Sequence, residues 1–368
     1  MALFSKIHNN LSLRYVDLFC GIGGFRIATE IVCKEFGIKP VCVFSSDIDK
    51  DAILTYEANF HDKPSGDITQ ISANQIPDHD ILYAGFPCQP FSICGNLEGF
   101  DDIRVTLFFD IARILKEKKP YAFILENVKQ LKGHNKGKTL QRIIEVLSNL
   151  GYFVQYKILN AKDFGLPHKR ERIFIVGLIE PIKLNWAFDN YPMKPLSEIL
   201  LKKVNQKYYA SDRIRQNRLE KYQGERLNQL TIWHENKAGH ISAYPYSCAM
   251  RAGASYNYLL VNGERRLTER EMLRLQGFPD SFAINSSYTA TKKLVGNSVA
   301  IPCVTALLRS IFQSVKDDKN AHKNNNFIKS ELPIQNELFT INSMDINIAK
   351  YRLDFIINKT RTRYYKPI

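Results

Sequence analysis

No two cysteines in this chain stand at C-x-x-C spacing, and the seven present (20, 33, 42, 88, 94, 248 and 303) are an odd number. Such a set serves neither a disulfide framework nor a zinc site, and it fits a reducing cytoplasm. The N-terminal run Met1-Ala2-Leu3-Phe4-Ser5-Lys6 lacks the apolar core of a secretory signal. Nor does any apolar run approach the ~20 residues of a membrane span, so a soluble chain without a membrane partner is expected. Acid is short as well: 37 Asp and Glu face 51 Lys and Arg, a formal charge of +14 with a pI near 9.3. That surplus points to a polyanionic partner, nucleic acid first. What remains is ordinary: 368 residues with 45% hydrophobic and 24% charged content suit one large globular domain plus a smaller one.

Short apolar runs alternate with amphipathic stretches from Tyr15 to about Ile179. Strands are expected over 14–19, 41–45, 80–84, 121–125, 153–159 and 172–178, with helices over 25–36, 50–59, 106–116 and 138–150. Strand and helix in turn predict an α/β fold with a doubly wound, mostly parallel sheet. The rhythm stops at Glu180-Pro181, and the basic, Tyr- and Asn-rich stretch that follows reads as a second, smaller domain. Helix is expected again over 267–276 and 299–314. The resulting partition is 1–180, 181–278, a return segment 279–315, and an extension 316–368 of no legible role.

Chemistry-bearing residues fall at the ends of the expected strands. Asp17-Leu18-Phe19-Cys20-Gly21-Ile22-Gly23-Gly24-Phe25 is a glycine loop between the first strand and a helix, where backbone amides approach a ligand. No Gly-Lys-Ser/Thr follows, and Arg26 stands where a dinucleotide loop needs its third glycine. A nucleoside cofactor without a pyrophosphate fits, and so does a structural turn. Asp47-Ile48-Asp49 ends the second strand: Asp47 suits a ribose, Ile48 a purine face, and Asp49 a helix N-cap. Gly66-Asp67-Ile68-Thr69 offers an acid and an apolar residue for an adenine. Gly85-Phe86-Pro87-Cys88-Gln89-Pro90 holds a thiol between two prolines at a strand end, a place for a nucleophile. Glu126 of Glu126-Asn127-Val128 is either a helix cap or an acid/base group, and Arg172 opens a buried strand.

Together and in this order, these blocks resemble the C5-cytosine DNA methyltransferase family. The Arg170-Glu171-Arg172 block, Gln276-Gly277-Phe278-Pro279 and Gly296-Asn297-Ser298-Val299 complete the likeness, which covers about 14–180 and 265–312. It implies a Rossmann-like sheet that binds S-adenosyl-L-methionine through Phe19, Gly21, Gly23, Gly24, Asp47, Ile48, Asp67, Ile68, Gly85, Pro87, Leu107, Asn297 and Ser298. It implies Cys88 as the nucleophile on cytosine C6, Glu126 at N3, and Arg172 with Arg170 at O2, the base being flipped from duplex DNA. Residues 92–104 become a loop that closes over the base, with Cys94 a small polar contact. No metal is expected. Two positions depart from the family's habit: Val105 stands where glycine is usual, and His168 where many members carry glutamine.

Target recognition falls to about 185–264. Lys202, Lys203, Arg213, Arg215, Arg218, Lys221 and Arg226 suit phosphates, Arg251 and Asn257 suit base edges, and Ser92 and Arg104 at the ends of the loop are further candidate DNA contacts. The same lysines and arginines also fit a solvated helix face. The leading expectation is a monomeric enzyme that marks one duplex DNA sequence and pairs with a restriction endonuclease. The tRNA-modifying branch of the same family and an inactive DNA-binding paralogue are the alternatives. A NAD-linked oxidoreductase is disfavoured by Arg26.

Overall fold

The computed structural model describes residues 12–86, 103–189, 191–224 and 228–324. Its centre is a six-stranded sheet built from β1 (Ser12–Leu18), β2 (Lys39–Ser46), β3 (Ile81–Gly85), β4 (Ala122–Val128), β5 (Phe153–Asn160) and β7 (Glu171–Leu178). β6 is the two-residue strand His168–Lys169. The order across the sheet is β2-β1-β3-β4-β7-β5. β1, β2, β3 and β4 pair in parallel, whereas β7 runs antiparallel to both β4 and β5. Chain order therefore reverses between β1 and β3, opening a crevice at the carboxyl ends of those strands.

Strands buried on both faces need apolar residues without alternation, and Ala122-Phe123-Ile124-Leu125 supplies them. One face is covered by α1 (Gly24–Glu35) and the long C-terminal helix α8 (Ile301–Asn324). The other is covered by α3 (Ile103–Lys118) and α4 (Lys138–Asn149), the latter through Leu140, Ile143, Val146 and Leu147 at helical spacing. α2 (Lys50–Phe60) follows β2, and its N-cap is Asp49, whose carboxylate accepts from the Asp51 and Ala52 amides. α8 is joined to α1 by the Phe36–Phe312 edge contact at 5.3 Å and by two Arg309–Glu35 hydrogen bonds of 2.7 Å. Residues 288–318 are long and apolar enough to span a membrane, contrary to the reading of the sequence, but 78% of their apolar window is buried inside the protein. That apolarity is spent on the core.

The smaller unit carries α5 (Asp212–Lys221) and an antiparallel sheet of β8 (Ile232–Glu235), β9 (Ile241–Tyr244) and β11 (Leu259–Val261), ordered β11-β8-β9. β10 (Ser247–Cys248) leaves it to pair in parallel with β6. Its residues Ile232, Met250 and Leu259 share one hydrophobic cluster with Ile182, Leu184, Leu196 and Ile199 and with Leu267, Met272, Leu275 and Phe278 around α6 (Glu269–Arg274). α7 (Tyr288–Asn297) then leads into α8, which runs through residue 315 without a break.

Candidate active site

The glycine loop, Asp47, Gly85 and Glu126 lie along the sheet edge formed by the carboxyl ends of β1 to β4. The glycine loop leaves β1 with Phe19 at φ 55°, Gly21 at φ 53° and Gly23 at φ 82°. Gly23 allows no side chain, since a Cβ there would lie 2.3 Å from the Phe60 ring. A Cβ on Gly24 would lie 2.6 Å from Val299 Cγ2, so the loop touches the Ser298-Val299 segment directly. Asp47 and Asp49 divide their work. Asp49 caps α2, while Asp47 accepts from the Gly21 and Asp49 amides at 2.8 Å each and so fastens the glycine loop to the end of β2. Beside it Ile48 is 74% exposed, an apolar face open to a ligand. Asp67 is exposed and caps a short 3-10 turn through Thr69, and Ile68 is buried beneath it.

Asp17, the first residue of the loop motif, has no separate role in the sequence reading. It is fully buried, and neither carboxylate oxygen has a hydrogen-bond partner among the described residues. Burial drives its pKa well above the carboxylate range despite the pull of Arg26. An uncompensated buried carboxylate is costly, and a cationic ligand group in this crevice would relieve it. Sequence alone hides this, because an acid within a strand looks the same whether or not it is paired.

Further along the edge, Gly85 and Glu126 are register partners on β3 and β4. A Cβ on Gly85 would stand 3.7 Å from Glu126 Oε2, in ordinary contact with the acid. The Asn127 side-chain amide donates to the Phe86 carbonyl at 3.0 Å and holds the exit of β3. Pro87, Cys88 and Ser92 lie outside the described residues, as do Cys94, Arg226 and the side chains of Arg104 and Val105; Leu107 is half-buried in the first turn of α3.

The direction of β7 completes the cluster. Being antiparallel to β4, it starts at the edge where β4 ends and pairs Arg172 with Val128. Arg172 Nε thereby comes within 3.0 Å of Glu126 Oε1. The N–H is not aimed at that oxygen, so the contact is an ion pair and Oε1 keeps its accepting capacity. Burial raises the Glu126 pKa above the ordinary range, against the lowering by Arg172 and Arg170. Arg170 is spent differently. It is buried and donates to the carbonyls of Ser298 at 2.6 Å and Gly296 at 3.2 Å, so it fixes the segment that touches the glycine loop. Asn297 in that segment is exposed and Ser298 buried.

The smaller unit sorts the cationic residues less evenly than the sequence implied. Arg213 is exposed, and Arg215 pairs with Asp212. Arg218 is 3% exposed and bound to Glu235 and the Asn257 carbonyl, so it braces the domain and is turned away from a solvent-side phosphate. Arg251 stacks over the Tyr258 ring at 4.9 Å.

Comparison with known proteins identifies the family. The model of the family described as C-5 cytosine-specific DNA methylase matches residues 13–313. The chain is 53% identical to the type II methyltransferase M.NgoBI of Neisseria gonorrhoeae over 293 residues, covering 79% of this chain and 90% of that protein. It is 51% identical to M.HaeII of Haemophilus aegyptius over 302 residues, covering 82% and 93%. Among solved structures, the Dnmt2 methyltransferase of S. pombe shares the fold with a TM-score of 0.63 at 20% identity, covering 82% of this chain and 98% of that one. With β1 to β4 and β7 bringing the glycine loop, Glu126 and Arg172 to one edge, the chain belongs to the C-5 cytosine-specific DNA methylase family and is a DNA cytosine methyltransferase of restriction–modification type.

Proposed function

We propose that this enzyme methylates C5 of one cytosine, flipped out of a specific duplex DNA sequence, and protects host DNA from a partner endonuclease. The observation that carries this reading is the Glu126–Arg172 contact, with a buried acid pushed towards its protonated form beside a fixed guanidinium. The residues fit S-adenosyl-L-methionine. The glycine loop, Asp47 and Ile48, and Asp67 with Ile68 would hold its nucleoside, and the uncompensated Asp17 would face its cationic end. When bound it supplies an electrophilic methyl group. Cytosine C5 is a weak nucleophile until a thiolate adds at C6, which is the role of Cys88. Negative charge then grows on N3 and O2, where Glu126 donates a proton and Arg172 donates hydrogen bonds. Loss of the C5 proton lets Cys88 leave. Arg170 positions the Gly296–Ser298 segment through its bonds to the Gly296 and Ser298 carbonyls. A duplex bearing 5-fluorocytosine at the target should form a complex with the cofactor present that survives denaturation, because fluorine cannot leave as a proton. No adduct across a library of such duplexes would overturn the thiol route.

Glu126 gives a second test. Glutamine at 126 can still donate a hydrogen bond to N3 but cannot deliver a proton. Glu126→Gln should lower kcat by about 10²-fold or more, within the usual range for losing an acid/base group. The sign of its pH dependence follows from its raised pKa. The protonated form is present below that pKa and is lost as pH rises through it, so wild-type kcat should fall on the alkaline side. In the glutamine variant that limb should disappear from the kcat–pH profile.

A further inference from the structure

His168 stands where three parts of the chain meet. The ring is fully buried. Its Nδ1 lies 3.0 Å from the Leu275 carbonyl, and the Met250 amide is 3.4 Å from its Nε2. A carbonyl can only accept, so Nδ1 must carry the proton. An amide N–H can only donate, so Nε2 must be bare. Both neighbours select the same neutral tautomer. The backbone is tied in as well, since β6 pairs His168 with Ser247 and the His168 carbonyl accepts from the Arg170 amide at 2.9 Å. Burial, then the neighbouring Arg170, hold the ring's pKa down to about 3, with Arg172 acting the same way and the Leu275 carbonyl opposing.

We propose that His168 is a positioning residue whose Nδ1–H imidazole links the recognition segment at Met250 to the arginine strand and to the Leu275-Gln276 turn. From Met250 the chain continues into Arg251, on the recognition side. The Gln276 side chain donates to the carbonyls of Val295 at 2.8 Å and Ser298 at 3.3 Å, and Arg170 reaches the same Ser298 carbonyl. One ring therefore couples the place where DNA sequence would be read to the frame that aims Arg172 at Glu126. A glutamine amide also carries both a donor group and an acceptor at its tip, so H168Q can keep the link. The inference rests on the methyl-transfer reading above.

Two measurements test it. Selective 15N-histidine labelling of the full chain should show one ring as the Nδ1–H tautomer, neutral throughout the pH range in which an ordinary histidine titrates near 6.5. An Nε2–H ring or a normal titration at His168, assigned by its loss in H168Q, would overturn the proposal. In activity assays on cognate duplex, H168L should lose on the order of 10²-fold in kcat, as for misplacement of a reacting group by an ångström. Its affinity for S-adenosyl-L-methionine should stay unchanged, and H168Q should recover most of the turnover. Normal kcat in H168L, or H168Q as weak as H168L, would also overturn it. Should H168L not fold, H168Q and the ring spectrum decide the matter. The spectrum needs no turnover, so a failed fluorocytosine trap beside an Nδ1–H ring would count against the methyl-transfer reading alone.

Discussion

Cys88→Ser should abolish methyl transfer, by a factor on the order of 10⁴ to 10⁶, as is typical when a covalent nucleophile is removed. Serine keeps the shape, but its hydroxyl forms an anion far less readily than a thiol whose ordinary pKa is about 8.5. None of the described cysteines is suited to take over. Burial raises the thiol pKa of Cys33 to about 12 and of Cys42 to about 11, and raises those of Cys20, Cys248 and Cys303 as well. All five are packing thiols. Cys88 instead follows Phe86 by two residues, and Asn127 holds the Phe86 carbonyl at the exit of β3. Binding should persist in the variant, because the glycine loop and the cationic surface are untouched. Gel-shift affinity for cognate duplex would stay at the wild-type level while transfer of labelled methyl groups stops. A variant with normal turnover would remove Cys88 from the mechanism.

Much of the frame behind this expectation was legible because buried parallel strands and amphipathic helices have strong periods. The six main strands and first four helices fall within three residues of their expected ends. Direction was not legible. Nothing in Arg172 to Leu178 says that β7 runs against β4, yet that reversal is what brings Arg172 to Glu126. The smaller unit was the least readable part. Its strands are two to four residues long, too short to establish a period. α5 is polar on all sides, so its sequence could not tell the inward Arg218 from the exposed Arg213. α7 escaped notice because Tyr288-Thr289-Ala290-Thr291 carries β-branched and aromatic residues of indifferent helix preference. Its burial comes from tertiary contact, including the Lys292 ammonium against the Ala252 and Ala254 carbonyls.

A large loss of stability is expected at Glu271. This carboxylate is completely buried and accepts four hydrogen bonds: two from Arg265 at 2.9 Å each, and one each from the Leu201 and Thr268 amides at 2.8 Å. It thus fastens Leu201, Arg265 and the N-cap of α6 at one point. Glu271→Ala leaves the Arg265 charge buried without its counter-ion and should cost about 3–5 kcal/mol. For a domain of this size that lowers Tm by on the order of 10 °C. A thermal melt followed by circular dichroism would measure it, and a change within ±1 °C would show the pair to be dispensable. The double variant Arg265→Met/Glu271→Leu separates charge from hydrogen bonding. If the unpaired guanidinium were the whole cost, removing both charges would restore the wild-type melt. The Leu201 and Thr268 amides still lose their acceptor, at about 1–3 kcal/mol for each buried unsatisfied group. Only partial recovery is therefore expected, and the deficit that remains measures how firmly Glu271 holds the Leu201 and Thr268 amides.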